Sequence, residues 1–226
     1  LGSSADNGGA IYNSGNLSFS DCVISNNSVK STGLGGGAIF NAGGATLSLT
    51  RCIVSGNTAG GEVLPTSGTI VGGAIRNANG TVNLTDTTIS NNYSQVGGGI
   101  SSVGTVNIQT STFSGNEAGI GISTTLTLEG GAIFTSGTST TTIVNSTFYN
   151  NSAKDDGGAI TSKGTMSVSF STFSGNSATS GAGIAVTSHS LTIKGNIFSN
   201  DGANCLTSGA TLLSDGYNLA TDASCA

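Results

Sequence analysis

The chain has no Trp, one Pro, one His and few charges: six Lys or Arg against eleven Asp or Glu in 226 residues. Each shortage removes a class of protein. The net charge of −5 offers no basic field to nucleic acid or to an anionic membrane surface, and it disfavours acidic polymers as partners. A single His, His189, cannot build a Ser-His-Asp triad or a His-metal constellation. Neither Cys-x-x-Cys nor Cys/His spacing is present, which excludes a zinc site. No run of about 18 apolar residues occurs, so nothing here reads as a membrane-spanning helix. The chain opens on Leu1 without a charged-then-apolar leader, as expected of a mature or excised piece. No segment carries roughly 10 to 12 residues of 3.6-residue periodicity, which excludes a repeat-helix solenoid and alternating strands and helices.

What the chain does have is 37 Gly and a 35% apolar content. The Gly/Ser/Thr/Asn bias alone would suit a low-complexity linker. Fixed apolar spacing argues against that, because disordered segments lack the apolar surface to offset chain entropy. Aligning on the Ile that closes Gly-Gly-Ala-Ile, or its variants, gives Ile11, Ile39, Ile75, Ile100, Ile133, Ile160 and Ile184, with Cys205 in the eighth place, at intervals of 21 to 36 residues. Repeats of this length announce a solenoid. A second apolar anchor follows each Ile: Ile24, Val54, Ile89, Phe113, Phe148, Phe173 and Phe198. Three residues later stand Asn27, Asn57, Asn92, Asn116, Asn151, Asn176 and then Asp201.

Between the two anchors lie alternating pairs such as Leu47/Leu49 and Val82/Leu84, the period-2 signal of a half-buried strand. The predicted fold is all-β: a right-handed parallel β-helix of about seven coils, three short strands each, and a C-terminal capping part-coil. Residues 1–201 form the repeats and residues 202–226 the cap. At a coil spacing of about 4.8 Å the rod is roughly 35–40 Å long. The position before the repeated Asn holds only Gly or Asn (Asn26, Gly56, Asn91, Gly115, Asn150, Gly175, Asn200). These residues enter left-handed backbone cheaply and should turn the corner. The following Asn should bond through its amide to the Asn of adjacent coils, satisfying backbone groups left open by the bend.

Gly-Gly-Ala-Ile alternating with Phe-x-x-Asn, as in "GGAIFTSGTSTTTIVNSTFYNN", resembles the repeats of polymorphic outer-membrane proteins and of the wider right-handed β-helix surface proteins of bacteria. The tail "GANCLTSGATLLSDGYNLATDASC" is similar to the C-terminal coil of secreted bacterial β-helix proteins with variable surface anchors, where two Cys bracket a Gly-Tyr-Asn-Leu stretch. Cys205, Gly216, Tyr217, Asn218, Leu219 and Cys225 match it. The resemblance implies a location outside the cell.

Cys22 and Cys52 occupy the same place in successive repeats. A disulfide between stacked coils and a pair of reduced core cysteines both fit that placement. Cys205 and Cys225 bracket the tail, and closing that loop would contribute roughly 3 kcal/mol, so a disulfide and an oxidising compartment are the expectation there. Asp21, Arg51 and Asp86 form a negative, positive, negative column three residues before the anchor, read as register-setting ion pairs worth about 0–1 kcal/mol each. Asp155 and Asp156 beside Lys154 suit a cation or, more commonly, a solvated turn. Thr88, Thr112, Thr147 and Thr172 make an outward column that Val23, Ile53 and Ile197 interrupt, as any strand tolerates.

A polysaccharide lyase or hydrolase needs carboxylates, or a carboxylate with Lys or Arg, gathered on one face. The insertions at 28–35, 58–71 and 117–129 carry only Lys30, Glu62, Glu117 and Glu129 in bland sequence. The expectation is therefore a non-enzymatic extracellular or cell-surface structural and adhesive protein without cofactor or metal. Its partners would be copies of itself, surface glycans or receptors. A polysaccharide-binding or polysaccharide-degrading β-helix is the alternative.

Overall fold

The computed structural model describes residues 4–5, 7–29, 35–60, 71–119 and 127–225. Three parallel sheets run along the molecule, two of eight strands and one of fourteen, and among the described residues there is no helix. The chain winds through the sheets in turn, so successive coils add strands to each. This is a parallel β-helix.

The register follows the sequence repeat. On the first face Ile11 lies beside Ile39, then Ile75, Ile100, Ile133, Ile160, Ile184 and Cys205. The second face is built from five-residue strands, Asn16–Ser20 and Thr46–Thr50 among them. Strict alternation decides which side chains enter the bore: in Thr81–Thr85, Val82 and Leu84 are fully buried while Thr81, Asn83 and Thr85 face out. The third face carries the second anchor, and there Phe113, Phe148, Phe173 and Phe198 stack with ring centroids 4.7 to 4.9 Å apart. That separation is the coil spacing itself, so identical rings at identical positions pack face to face along the axis.

Three strands per coil is incomplete as a description. A two-residue strand follows the Asn corner in five coils: Ser28–Val29, Thr58–Ala59, Tyr93–Ser94, Glu117–Ala118 and Ser152–Ala153. Past the bend the backbone is extended again and already lies at ladder distance from the coils beside it, so it pairs. These strands, Ser4–Ala5 and the third face form the fourteen-stranded sheet.

The Gly-Gly step has a steric cause. A Cβ on Gly37 would stand 2.1 Å from the carbonyl oxygen of Gly73 in the next coil, so backbone packs on backbone there with no room for a side chain. At the Asn corner, Asn26, Gly56, Asn91, Gly115, Asn150 and Gly175 all have φ between 50° and 63°. Asn200 does not share this conformation. The seventh coil is one residue shorter at the bend, with the register shifting between Ser174 and Ser177 opposite Ser199 and Asp201.

One column position departs from the apolar rule. Thr141 faces the bore between Val106 and Met166, and its Oγ1 is buried without a hydrogen-bond partner among the described residues. A buried unpaired hydroxyl is a desolvation cost. Thr141→Val should raise stability by about 1 kcal/mol, read as a higher urea midpoint at unchanged slope; a lower midpoint would show that the hydroxyl is satisfied.

Candidate functional site

The corner asparagines form a continuous ladder. The Asn57 Oδ1 accepts from both the backbone N–H and the side-chain Nδ2 of Asn27, at 2.9 and 3.0 Å. The Asn57 Nδ2 donates to the Ile24 carbonyl and to Asn92 Oδ1. The same pattern repeats through Asn92, Asn116, Asn151 and Asn176. The next rung is Asn200, which accepts from Asn176 at 2.7 Å, rather than Asp201. In the shortened corner Asn200 moves from the turning position into the ladder position, and it passes the chain of bonds to Asn204.

Two further ladders lace the other bends. Asn13, Asn41 and Asn77, each two residues after the repeated Ile, bond in series at 2.7 and 2.9 Å and end on the Ser102 hydroxyl. At the third bend the hydroxyls of Ser111, Ser146 and Ser171 accept the backbone N–H of Thr87, Ser111 and Ser146 in turn, continuing into Asn196 and Asn218. Cys22 and Cys52 occupy this same column and form a disulfide with Cα atoms 4.5 Å apart, so its first two coils are joined covalently. Cys205 and Cys225 form the second disulfide, next to Asp222. That carboxylate accepts from Asn204 N–H, Ser224 N–H and the Ser224 hydroxyl, which hold its pKa down at about 2, the Ser224 side chain contributing most.

The charged column is only half an ion-pair ladder. Arg51 sends Nε and Nη2 to the two oxygens of Asp21 at 2.7 and 2.8 Å. This hydrogen-bonded pairing lowers the Asp21 pKa. Asp86 is not bridged to Arg51; its carboxylate takes the Thr110 hydroxyl instead. Asp21, Arg51 and Asp86 have φ of 51° to 55°, so the column is itself a left-handed bend. The planar guanidinium turns its Nε/Nη2 edge to Asp21 in bidentate fashion, while Asp86 is engaged by Thr110.

The arrangement with most chemical content is a groove of about 350 Å³ over the outer side of the first face. Its floor comes from the column immediately after the repeated Ile, where Phe40, Arg76 and Phe134 line the groove and Tyr12 and Ser101 continue the same row. Val71 and Val96 stand on its wall, paired with each other just before the Gly-Gly step. Tyr12 and Phe40 stack with centroids 5.3 Å apart. Lys163 lies 5.1 Å from the Phe134 ring centroid and 2.7 Å from Glu129, whose residue is only 4% exposed. Arg76 donates to the Ser101 hydroxyl at 2.9 Å and has no carboxylate partner among the described residues. Burial alone pulls its pKa down.

The groove is not legible as a site in the sequence, because Arg76 and Lys163 belong to no motif and Glu129 stands in a bland insertion. One signal is available: the position after the repeated Ile changes in chemical character from coil to coil while the Ile itself does not. Lys30 and Glu62 lie outside the described residues, and Glu117 is exposed. Beside the groove Asp155 accepts the Leu128 N–H at 2.8 Å. Burial pushes the Asp156 carboxyl above the usual carboxylate range, with the charges of Glu129 and Asp155 adding and Ser180 and Lys163 opposing. Among the described residues no group of three or more His, Cys, Asp or Glu side chains is placed to hold a metal.

Residues 110–136 and 145–163 match the Chlamydia polymorphic membrane protein repeat. The two segments run from the bends before Phe113 and Phe148 into the Ile strands of the coils that follow. The chain is thus a parallel β-helix whose repeats resemble those of polymorphic outer-membrane proteins. No curated protein and no solved structure matches it.

A carboxyl whose folded pKa is raised above 3.8 is penalised only when ionised. The penalty is absent in acid and grows as pH rises through the raised value. Asp156→Asn should therefore increase the thermal midpoint near neutral pH, and the gap to the parent should close below pH 3.8. A gap that widens in acid would show that the carboxylate is favoured by the fold.

Proposed function

We propose that the chain is a non-enzymatic protein of the cell surface or outer membrane, with a structural and adhesive role, which assembles end to end with copies of itself. Similarity to the repeat of a polymorphic membrane protein family supports the location, as do two disulfides, which persist in oxidising compartments.

What supports self-assembly is the equivalence of the coils; the first and last described coils show the surface that a further coil would cover. Ile11, Leu17, Phe19 and Ile24 are only partly buried, whereas the bore residues beside them, Ile39, Leu47, Leu49 and Val54, are sealed. Among the described residues Ile11–Asn13, Asn16–Ser20 and Val23–Ser25 are the end strands of their rows, whereas Ser28–Val29 is already paired with Ser4–Ala5. At the other end Leu213 and Leu219 are 53% and 67% exposed on the last coil. Every coil repeats the same strand spacing, so a preceding coil of a longer chain or the end of a neighbouring copy fits the first coil alike. Contact between unlike ends does not close, and it propagates into a filament.

The non-enzymatic reading rests on how the charges near the groove are engaged. Lys163 is held by Glu129 and Asp155 by the Leu128 amide, so these groups brace the fold rather than await a substrate. Asp156, with its raised pKa, is what favours the degrading alternative.

Light scattering should show mass growing with concentration, and electron microscopy should show rods of constant width and variable length. A monodisperse monomer at high concentration would defeat the assembly reading. Pectic, alginate-like and glycosaminoglycan substrates should yield no product; turnover abolished by Asp156→Asn would replace this reading with the enzymatic one.

A further inference from the structure

We infer that the groove over the first face binds an extended, sparsely carboxylated saccharide, with a single uronic acid at Arg76 and neighbouring sugars on the aromatic floor. This deepens the adhesive reading and rests on it.

Charge chooses the anchor. Arg76 is a desolvated cation whose only bonded neighbour among the described residues is the neutral Ser101 hydroxyl. Lys163 by contrast is neutralised at 2.7 Å by Glu129. A guanidinium with free N–H groups in a sheltered groove recognises a planar carboxylate through two parallel hydrogen bonds. The surroundings limit how many charges the ligand carries. Glu129, Asp155 and Asp156 stand at the Lys163 end, and the whole chain is at −5. A densely sulfated polymer would meet repulsion there, whereas one isolated carboxylate would not.

Shape chooses the rest. Floor side chains come from successive coils, so they lie in a straight row along the axis at about 4.8 Å intervals. Phe134 is two coils from Arg76, or about 10 Å, close to the advance of one disaccharide in an extended β-linked chain. Phe40 is one coil away on the other side, with Tyr12 stacked beyond it. Pyranose C–H groups pack against apolar ring carbons; Tyr12 and Phe40 stack plane on plane along the axis and so turn ring edges to the groove, the 58% exposed Tyr12 adds a hydroxyl, and Lys163 lies over the Phe134 ring. A peptide carboxylate would satisfy Arg76 alone and would not use a row of rings in coil register.

The test is calorimetric titration with hyaluronan oligosaccharides, in which uronic acid and neutral N-acetylhexosamine alternate. Carboxyl-reduced hyaluronan, a heparin oligosaccharide and an Asp/Glu-containing peptide serve as comparisons. The parent protein should bind hyaluronan, and Arg76→Gln should weaken that by about tenfold or more while keeping the parent's circular dichroism and thermal midpoint. Arg51→Gln, on another face, should bind as the parent does. Phe134→Leu provides a second reading that leaves Arg76 in place, and it too should weaken binding. No binding by the parent, equal binding of the carboxyl-reduced chain, preference for heparin or the peptide, or unchanged binding by Arg76→Gln would each overturn the inference. Light scattering on the same samples separates the two ideas: assembly without saccharide binding leaves the rod standing and removes only the groove's role, and binding by a strict monomer does the reverse.

Discussion

A tightly wound coil must bend sharply several times, and each bend leaves backbone amides and carbonyls that water cannot reach once coils stack on either side. Pairing those groups is the constraint on which the rest of the structure depends. The Asn amide solves it because it carries donor and acceptor on one rigid plane. Asn57 uses its oxygen for two bonds from Asn27 and its nitrogen for Ile24 and Asn92, so a fully buried polar side chain has no unmet capacity. Each such residue is useful only if its equivalent stands directly above and below. The ladder therefore enforces register, and register aligns every other column.

Aligned columns explain the bore. Four Phe rings stack because the coil spacing and a comfortable ring separation coincide. The Ile column faces them across the interior, and small residues fill the steps where one backbone passes another, as Gly37 does against Gly73. The third bend shows how interchangeable the chemistry of a column is. Ser and Thr hydroxyls pair its amides through the middle of the rod, Asn takes over toward the C-terminal end, and Cys22 and Cys52 join the first two coils by a covalent bond.

Outward columns are free of this discipline, and that is where the molecule differs from coil to coil. The residue after the repeated Ile contacts neither bore nor ladder, so it varies from Tyr to Phe, Arg, Ser and Phe. Stacking turns this variation into a line of unlike groups at regular spacing, and the wall beside it makes the line a groove. Charges distant in sequence, Arg76, Glu129 and Lys163, become its lining.

The repeat by itself determined the solenoid, its columns and the main Asn ladder, since Ile11 to Ile184 and Asn27 to Asn176 recur at positions that only a stacked coil makes equivalent. Where the repeat was broken, the sequence misled: the shortened corner made Asn200 rather than Asp201 the next rung, and the Asp86 of an apparent ion-pair column turned to Thr110. The ladders through Asn13 and Ser111 were written in the same periodic code, but their members change identity along the column and so do not stand out as a motif. Only the tertiary structure decided the groove, because its residues lie on different coils and in insertions of unequal length. Their proximity is a property of the winding, which spacing within a single repeat does not contain.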